Sequence, residues 1–177
     1  SGGEPFLRKD LPEIVRAYHE RTGFFTASIP TNGYSASRIS EMIERICGIS
    51  PDLHLGVAVS LDGMSDFHDE VRRVPGLWKN AIRTLRTIVE LGARFPNLTA
   101  GVITVFMREN QAELDELLTY VHDEVRPTFH TLNFIRGKPQ DGSLAQDLDV
   151  ERYLALSRWL DERYGGSEEW AAGGGGV

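Results

Sequence analysis

The sequence predicts an α/β domain built around a parallel sheet. Two observations carry this: apolar residues alternate between helical spacing and short β-favouring runs, and no two of those runs are joined by a turn short enough for a hairpin. A parallel neighbour needs a crossover connection, and a helix-length segment separates each run from the next. Turns rich in glycine, proline and asparagine punctuate the pattern.

The elements follow in order. Leu11, Ile14, Val15 and Tyr18 recur at helical spacing, and Asp10 with Glu13 around Pro12 gives a capping-box start. Residues 24–29 form a short apolar run that ends at Pro30-Thr31-Asn32-Gly33, which predicts a strand with a loop at its carboxyl end. Ile39, Met42, Ile43 and Ile46 mark a second helix, and residues 53–59 a second strand whose Val57-Ala58-Val59 centre suits burial on both faces. A loop is expected over residues 60–75. Trp78, Ala81, Ile82, Leu85, Ile88 and Val89 then share one helical face, and residues 98–106 read as a strand. Asn110 and Glu113 are expected to cap a helix carrying Leu114, Leu117, Leu118 and Val121; residues 128–135 make a strand and 149–164 a final helix. Periodicity leaves a closed or partly closed barrel and an open doubly wound sheet equally open. Either one places ligands at the carboxyl ends of the strands.

Composition narrows the function classes. A hydrophobic content of 41% over 177 residues is enough for one core, expected over residues 1–164, with 165–177 as a low-complexity tail or linker around Gly173 to Gly176. Lys and Arg number 19 against 26 Asp and Glu, interspersed along the chain, which argues against a broad nucleic-acid or anionic-membrane surface. No apolar stretch has the length of a membrane span, and no export signal is evident. The single cysteine, Cys47, makes no internal disulfide, cannot hold a metal cluster alone and is expected in the core; a cytoplasmic location is the expectation.

Four loops fall at expected strand ends: residues 1–5, 31–33, 60–63 and 133–137. Gly2 and Gly3 allow close approach to backbone amides, Glu4 can accept from an ammonium group, and Thr31, Asn32 and Ser60 suit hydroxyl or carboxylate groups. Together they suit a zwitterionic, ribose-bearing ligand. Asn133 and Arg136 lie where a substrate would be read, Arg136 toward a carboxylate or phosphate. His68, Asp69 and Arg72 either arrange the loop over the ligand or form a local ion-pair network, the latter being the expectation, and His54, His122 and His130 show no metal-ligand spacing.

Gly2-Gly3-Glu4-Pro5-Phe6-Leu7-Arg8, Thr31-Asn32-Gly33 and Ser60-Leu61-Asp62-Gly63 stand in the order and spacing of radical S-adenosylmethionine enzymes. His68-Asp69 and Arg72 resemble the His-Asp-x-x-Arg stretch of the branch related to molybdenum-cofactor biosynthesis and peptide-modifying members. The chain resembles that family over nearly its whole length. The resemblance implies a partial (βα)6 TIM-like barrel, S-adenosylmethionine as cofactor, and a [4Fe–4S] cluster that cleaves it reductively to methionine and a 5'-deoxyadenosyl radical. It further implies a small-molecule or peptide substrate and an electron donor such as flavodoxin or ferredoxin. Gly2, Gly3 and Glu4 would meet the methionyl amino group, Ser60 its carboxylate or the ribose, and Thr31 and Asn32 the adjacent ribose or substrate side. The family's Cys-x-x-x-Cys-x-x-Cys loop does not occur in these residues. The expectation is therefore a barrel missing its first βα unit, inert as given and poorly soluble; the alternative is a cluster-less binding or scaffold barrel.

Overall fold

The computed structural model describes residues 3–135 and 146–165. A single 3-10 turn, Pro5–Leu7, precedes helix α1 (Leu11–Thr22). Then come β1 (Thr26–Thr31), α2 (Ala36–Cys47), β2 (His54–Ser60), α3 (Ser65–Arg72), α4 (Leu77–Gly92) and β3 (Leu98–Phe106). Helix α5 (Leu114–Tyr120) runs on as a π turn over Val121–Val125, and β4 (Phe129–Phe134) and α6 (Val150–Tyr164) complete the series.

The four strands pair in parallel in the order β1-β2-β3-β4. That order decides between the two architectures left open by periodicity. A doubly wound sheet reverses direction at a switch point, whereas right-handed crossovers that always step the same way leave every helix on one side of the sheet. The fold is a partial TIM-like barrel.

Register shows which residues face which way. Ile29, Val57 and Ala100 form one cross-strand row, and Thr31, Val59, Val102 and His130 another, all buried and all on the helical side. The opposite face carries small groups: Ser28 beside Gly56, and Pro30 beside Ala58 beside Gly101. A Cβ at Gly101 would lie 2.0 Å from the Phe129 ring, so that ring rests directly on the glycine. Pro30 has no N–H to give a ladder, and β1 stands at an edge of the described sheet, where none is needed on the open side.

Several expectations change. Residues 60–75 are not all loop, since α3 lies within them; it is short and polar and buries only His68, so it lacks the apolar stripe by which a helix is recognised. Asp10 does not cap α1: its carboxylate pairs with Arg8 at 2.8 Å instead. Ile14 and Tyr18 are 37% and 64% exposed, so only part of the predicted stripe on α1 is buried. Asn110 caps nothing, because its amide is spent on the Asp62 and Val105 carbonyls. Asp149 does cap α6, accepting from the Arg152 N–H at 2.9 Å.

One buried group ties the core to pH. His130 Nε2 lies 2.8 Å from Thr104 Oγ1, whose own proton goes to the Leu61 carbonyl at 2.6 Å. Nε2 must therefore be the donor, and Nδ1, buried without a hydrogen-bond partner, has no acceptor for a second proton, so the ring is neutral. Burial pushes His130 down to about 3. The unfolded imidazole, near 6.5, protonates first, so its share of stability is complete above that pH and falls as pH drops toward the folded value. Lowering pH from 7 to 5 is expected to remove about 2 kcal/mol through this residue. Urea midpoints at the two pH values, compared with those of His130→Gln, measure it; equal pH sensitivity in both proteins would contradict the assignment.

Candidate functional site

The opening turn is part of the fold. Phe6 is fully buried, its carbonyl accepts from Arg38 Nε at 2.8 Å and Tyr34 Oη at 3.3 Å, and the Leu7 carbonyl accepts from Arg38 Nη2 at 3.0 Å. Glu4 joins this turn to the end of β1. Its Oε1 accepts from the Phe6 N–H at 3.2 Å and Thr31 Oγ1 at 2.9 Å, and its Oε2 accepts from the Asn32 N–H at 2.7 Å. Thr31 Oγ1 in turn accepts from the Gly33 N–H at 3.1 Å, while the Asn32 side-chain carbonyl accepts from the Tyr34 N–H at 3.0 Å in an Asx turn.

Beside this clamp, at the carboxyl ends of β1 and β2, lies a cleft of about 370 Å³. Gly3, Glu4, Thr31, Asn32 and Ser60 line it, joined by Pro5, Pro30 and Arg72. Five residues singled out from the sequence thus share one cavity. Gly2 lies outside the described residues. Asn133 lines a different cleft, of about 360 Å³, with Val105, Phe134 and Ile135. Its expected companion Arg136 also lies outside the described residues, as do residues 166–177 of the expected tail.

Behind the cleft sits a buried polar hub centred on Asp62, whose side chain is 3% exposed. Its Oδ2 pairs with Arg72 Nη2 at 2.6 Å and its Oδ1 accepts from the Val105 N–H at 3.0 Å. The Asp62 N–H donates to His68 Nδ1 at 3.1 Å, which places the His68 proton on Nε2, and burial lowers the pKa of that ring. The Asp62 carbonyl accepts from Asn110 Nδ2 at 2.9 Å. Asn110 also closes on Met107 N–H at 2.9 Å and the Val105 carbonyl at 2.7 Å. It brackets two loops, which is why it is not a helix cap.

Asp69, grouped with these residues from the sequence, does something else. Its carboxylate accepts from the Gly76 N–H at 2.5 Å and the Trp78 N–H at 2.7 Å, fixing the entry to α4. Sequence reasoning misses Asp62 and Asn110 as the centre of this hub. The signal for Asp62 is its place in Ser60-Leu61-Asp62-Gly63; for Asn110 no local signal points to a partner so far away in sequence.

The residues present do not fit an iron–sulfur cluster. A [4Fe–4S] cluster takes several thiolates, and the 177 residues contain one cysteine. Cys47 is 5% exposed in α2, and burial pushes its thiol up to about 11. Among the described residues no group of three His, Cys, Asp or Glu side chains is placed to hold a metal ion. No described helix is long and apolar enough to cross a membrane.

Several known proteins are similar to this chain in sequence. Fe-coproporphyrin III synthase of Methanosarcina barkeri is 28% identical over 151 residues, covering 85% of this chain and 35% of that protein. Pre-heme d1 synthase of Dinoroseobacter shibae is 28% identical over 159 residues, covering 88% and 36%. GTP 3',8-cyclase of Paracoccus denitrificans is 27% identical over 164 residues, covering 91% and 43%. The chain thus spans well under half the length of these relatives. The sequence profile of the radical SAM superfamily matches residues 1–121, from the opening turn to the first residue of the π turn. With that match over more than half its length, and a row of parallel strands of the kind the family builds, the chain belongs to the radical SAM superfamily.

Proposed function

We propose that these residues form the S-adenosylmethionine-holding part of a radical SAM enzyme core, with residues 1–164 as its domain. The observation that carries this reading is the Glu4 carboxylate, held at the rim of the cleft by Phe6, Thr31 and Asn32. A carboxylate offers about four acceptor positions, and three are taken by protein donors. The group is fixed in place with one position left for a cation such as the methionyl ammonium. Ser60 lines the same cleft from the end of β2 and is suited to the carboxylate or a ribose hydroxyl, with Gly3, Thr31 and Asn32 between. Groups already held by the fold bind with little further ordering.

In this family a bound cluster supplies the electron that splits S-adenosylmethionine into methionine and a radical able to take hydrogen from a substrate. The cluster's ligands are not among these residues, whose part is confined to holding and orienting the sulfonium compound. Asn133 and Arg136 are assigned to the substrate, which we take to be a small molecule; the names of the relatives speak of a porphyrin, a haem and GTP. A flavodoxin or ferredoxin is the fitting class of electron donor for such an enzyme core.

Titration calorimetry with S-adenosylmethionine tests the reading. Saturable binding is expected, and Glu4→Gln is expected to weaken it about tenfold, the worth of one charge-assisted hydrogen bond. A folded chain that shows no saturable binding at millimolar ligand would sink the proposal.

A further inference from the structure

The connection into β4 departs from regular geometry twice. Helix α5 ends in the π turn over Val121–Val125, and the next residue, Arg126, takes a left-handed backbone conformation with φ +59° where glycine is the usual choice. π turns are rare and often stand at functional sites, and a strained backbone persists only where its surroundings hold it. Both features open onto one cleft of about 680 Å³, against about 370 Å³ for the cleft at Glu4. His122, Asp123, Glu124 and Arg126 line it from the turn, and Arg163 and Tyr164 from the end of α6. It lies at the amino end of β4, whereas the cleft at Glu4 lies at the carboxyl ends of β1 and β2.

The two arginines are ordered without being neutralised. Arg126 Nε donates to the Asp123 carbonyl at 3.0 Å, and Arg163 Nη1 donates to the Trp159 carbonyl at 3.3 Å while its guanidinium sits 4.0 Å from the centre of the Trp159 ring. Arg126 makes no ion pair among the described residues, and Arg163 makes only a long one, 3.8 Å, to Glu162. Most of their ten N–H donors are therefore open. The Asp123 carboxylate accepts from His122 Nδ1 at 2.6 Å, which leaves Glu124 as the lining carboxylate without an ion pair among the described residues. The Tyr164 hydroxyl lies buried in the wall with no hydrogen-bond partner. Burial, and after it the Asp123 charge, push that phenol up to about 12, so it is a donor at neutral pH. Two guanidinium forks beside an unspent hydroxyl donor suit an oxyanion with several acceptor oxygens.

We propose that this cleft binds a phosphate group between Arg126 and Arg163, as the free ion or as the monoester of a small molecule. The site is separate from the cleft at Glu4, and its existence does not rest on the S-adenosylmethionine reading.

The test is a titration of the unaltered chain with inorganic phosphate at fixed ionic strength, followed by backbone amide chemical shifts, with glycerol 3-phosphate as the ester and sodium chloride as the reference. Saturable shifts are expected at residues 121–128 and 163–165 and not at residues 31–33 or 60–63. Arg126→Gln and Arg163→Gln are each expected to weaken binding about tenfold, the worth of one charge-assisted hydrogen bond. Glu124→Gln, which removes a repelling charge, is expected to tighten it about twofold. An ester bound as tightly as the ion assigns the cleft to phosphate monoesters, and binding of the ion alone assigns it to free phosphate; both support the site. Shifts that only drift as they do with chloride, or that centre on other residues, overturn it. Binding undiminished in both arginine variants overturns it as well. Arg126, Arg163 and Glu124 are exposed, so the variants are expected to fold, and should one fail to, the shift map of the unaltered chain decides.

Discussion

Replacing Asp62 by alanine is expected to destabilise the protein by about 3–5 kcal/mol, the loss typical when one partner of a buried ion pair is removed. Such a loss is a large share of the roughly 5–15 kcal/mol that holds most domains folded. Two interactions end at once on that carboxylate. The Arg72 guanidinium loses its anchor at 2.6 Å, and the Val105 N–H loses its acceptor at 3.0 Å in a place with little water. The backbone bonds of residue 62 to His68 and Asn110 remain available, so the defect is local to the side chain. Asp62→Asn, which keeps an acceptor of the same shape and loses only the charge, should be less harmful. Urea unfolding of the three proteins measures this. A loss below about 1 kcal/mol for Asp62→Ala would mean that the ion pair is no stronger than an exposed one.

The hub also shows what the sequence makes legible and what it hides. Strand β3 falls on residues 98–106 as expected, because an interior strand of the sheet, covered on one side by helices, is apolar along its length and declares itself. Helix α3 does not declare itself. It buries one side chain and owes its place to polar contacts with the loop after β2 rather than to a hydrophobic stripe. The cleft residues are legible as types at strand ends: Glu4, Thr31, Asn32 and Ser60 each lie where a parallel sheet puts its ligand. Their mutual bonds are not legible. Glu4 reaches Thr31 across 27 positions, Asp62 reaches Val105 across 43 and Asn110 reaches Asp62 across 48, and no local periodicity encodes such pairs. Asn110 misleads for this reason: an Asn ahead of an apolar helix looks like a cap, and the long-range bracket takes its amide instead. Arg72 reads in sequence as a member of a local network. The expected members do not pair with one another among the described residues: Asp69 holds the entry to α4, and the fold pairs Arg72 with Asp62 and carries it to the cleft wall.

Gly33→Ala is expected to cost about 2–5 kcal/mol, from two causes that add at one atom. The first is torsional. Gly33 has φ +74°, in the left-handed region, where a Cβ costs about 1–2 kcal/mol. The second is packing: an alanine Cβ there would stand 2.7 Å from the Ala81 Cα, 3.1 Å from its Cβ and 3.2 Å from Val59 Cγ1. The obstruction is backbone of α4, which cannot rotate aside as a ring can, so the helix must retreat from the end of β1 or the loop must lift. Either movement strains the Thr84 Oγ1 bond to the Gly33 carbonyl, 2.8 Å long and buried, and the Gly33 N–H bond to Thr31 that supports Glu4. Ligand binding in the cleft should therefore weaken along with stability. Gly3→Ala separates the two causes, because Gly3 has φ +91° but nothing within 4 Å of its Cβ position, so it reports the torsional part alone. Thermal or urea unfolding of both variants gives the packing share by difference. If Gly33→Ala proves no more harmful than Gly3→Ala, then α4 does not press on the Thr31-Asn32-Gly33 loop, and the support given to Glu4 from that side must be redrawn.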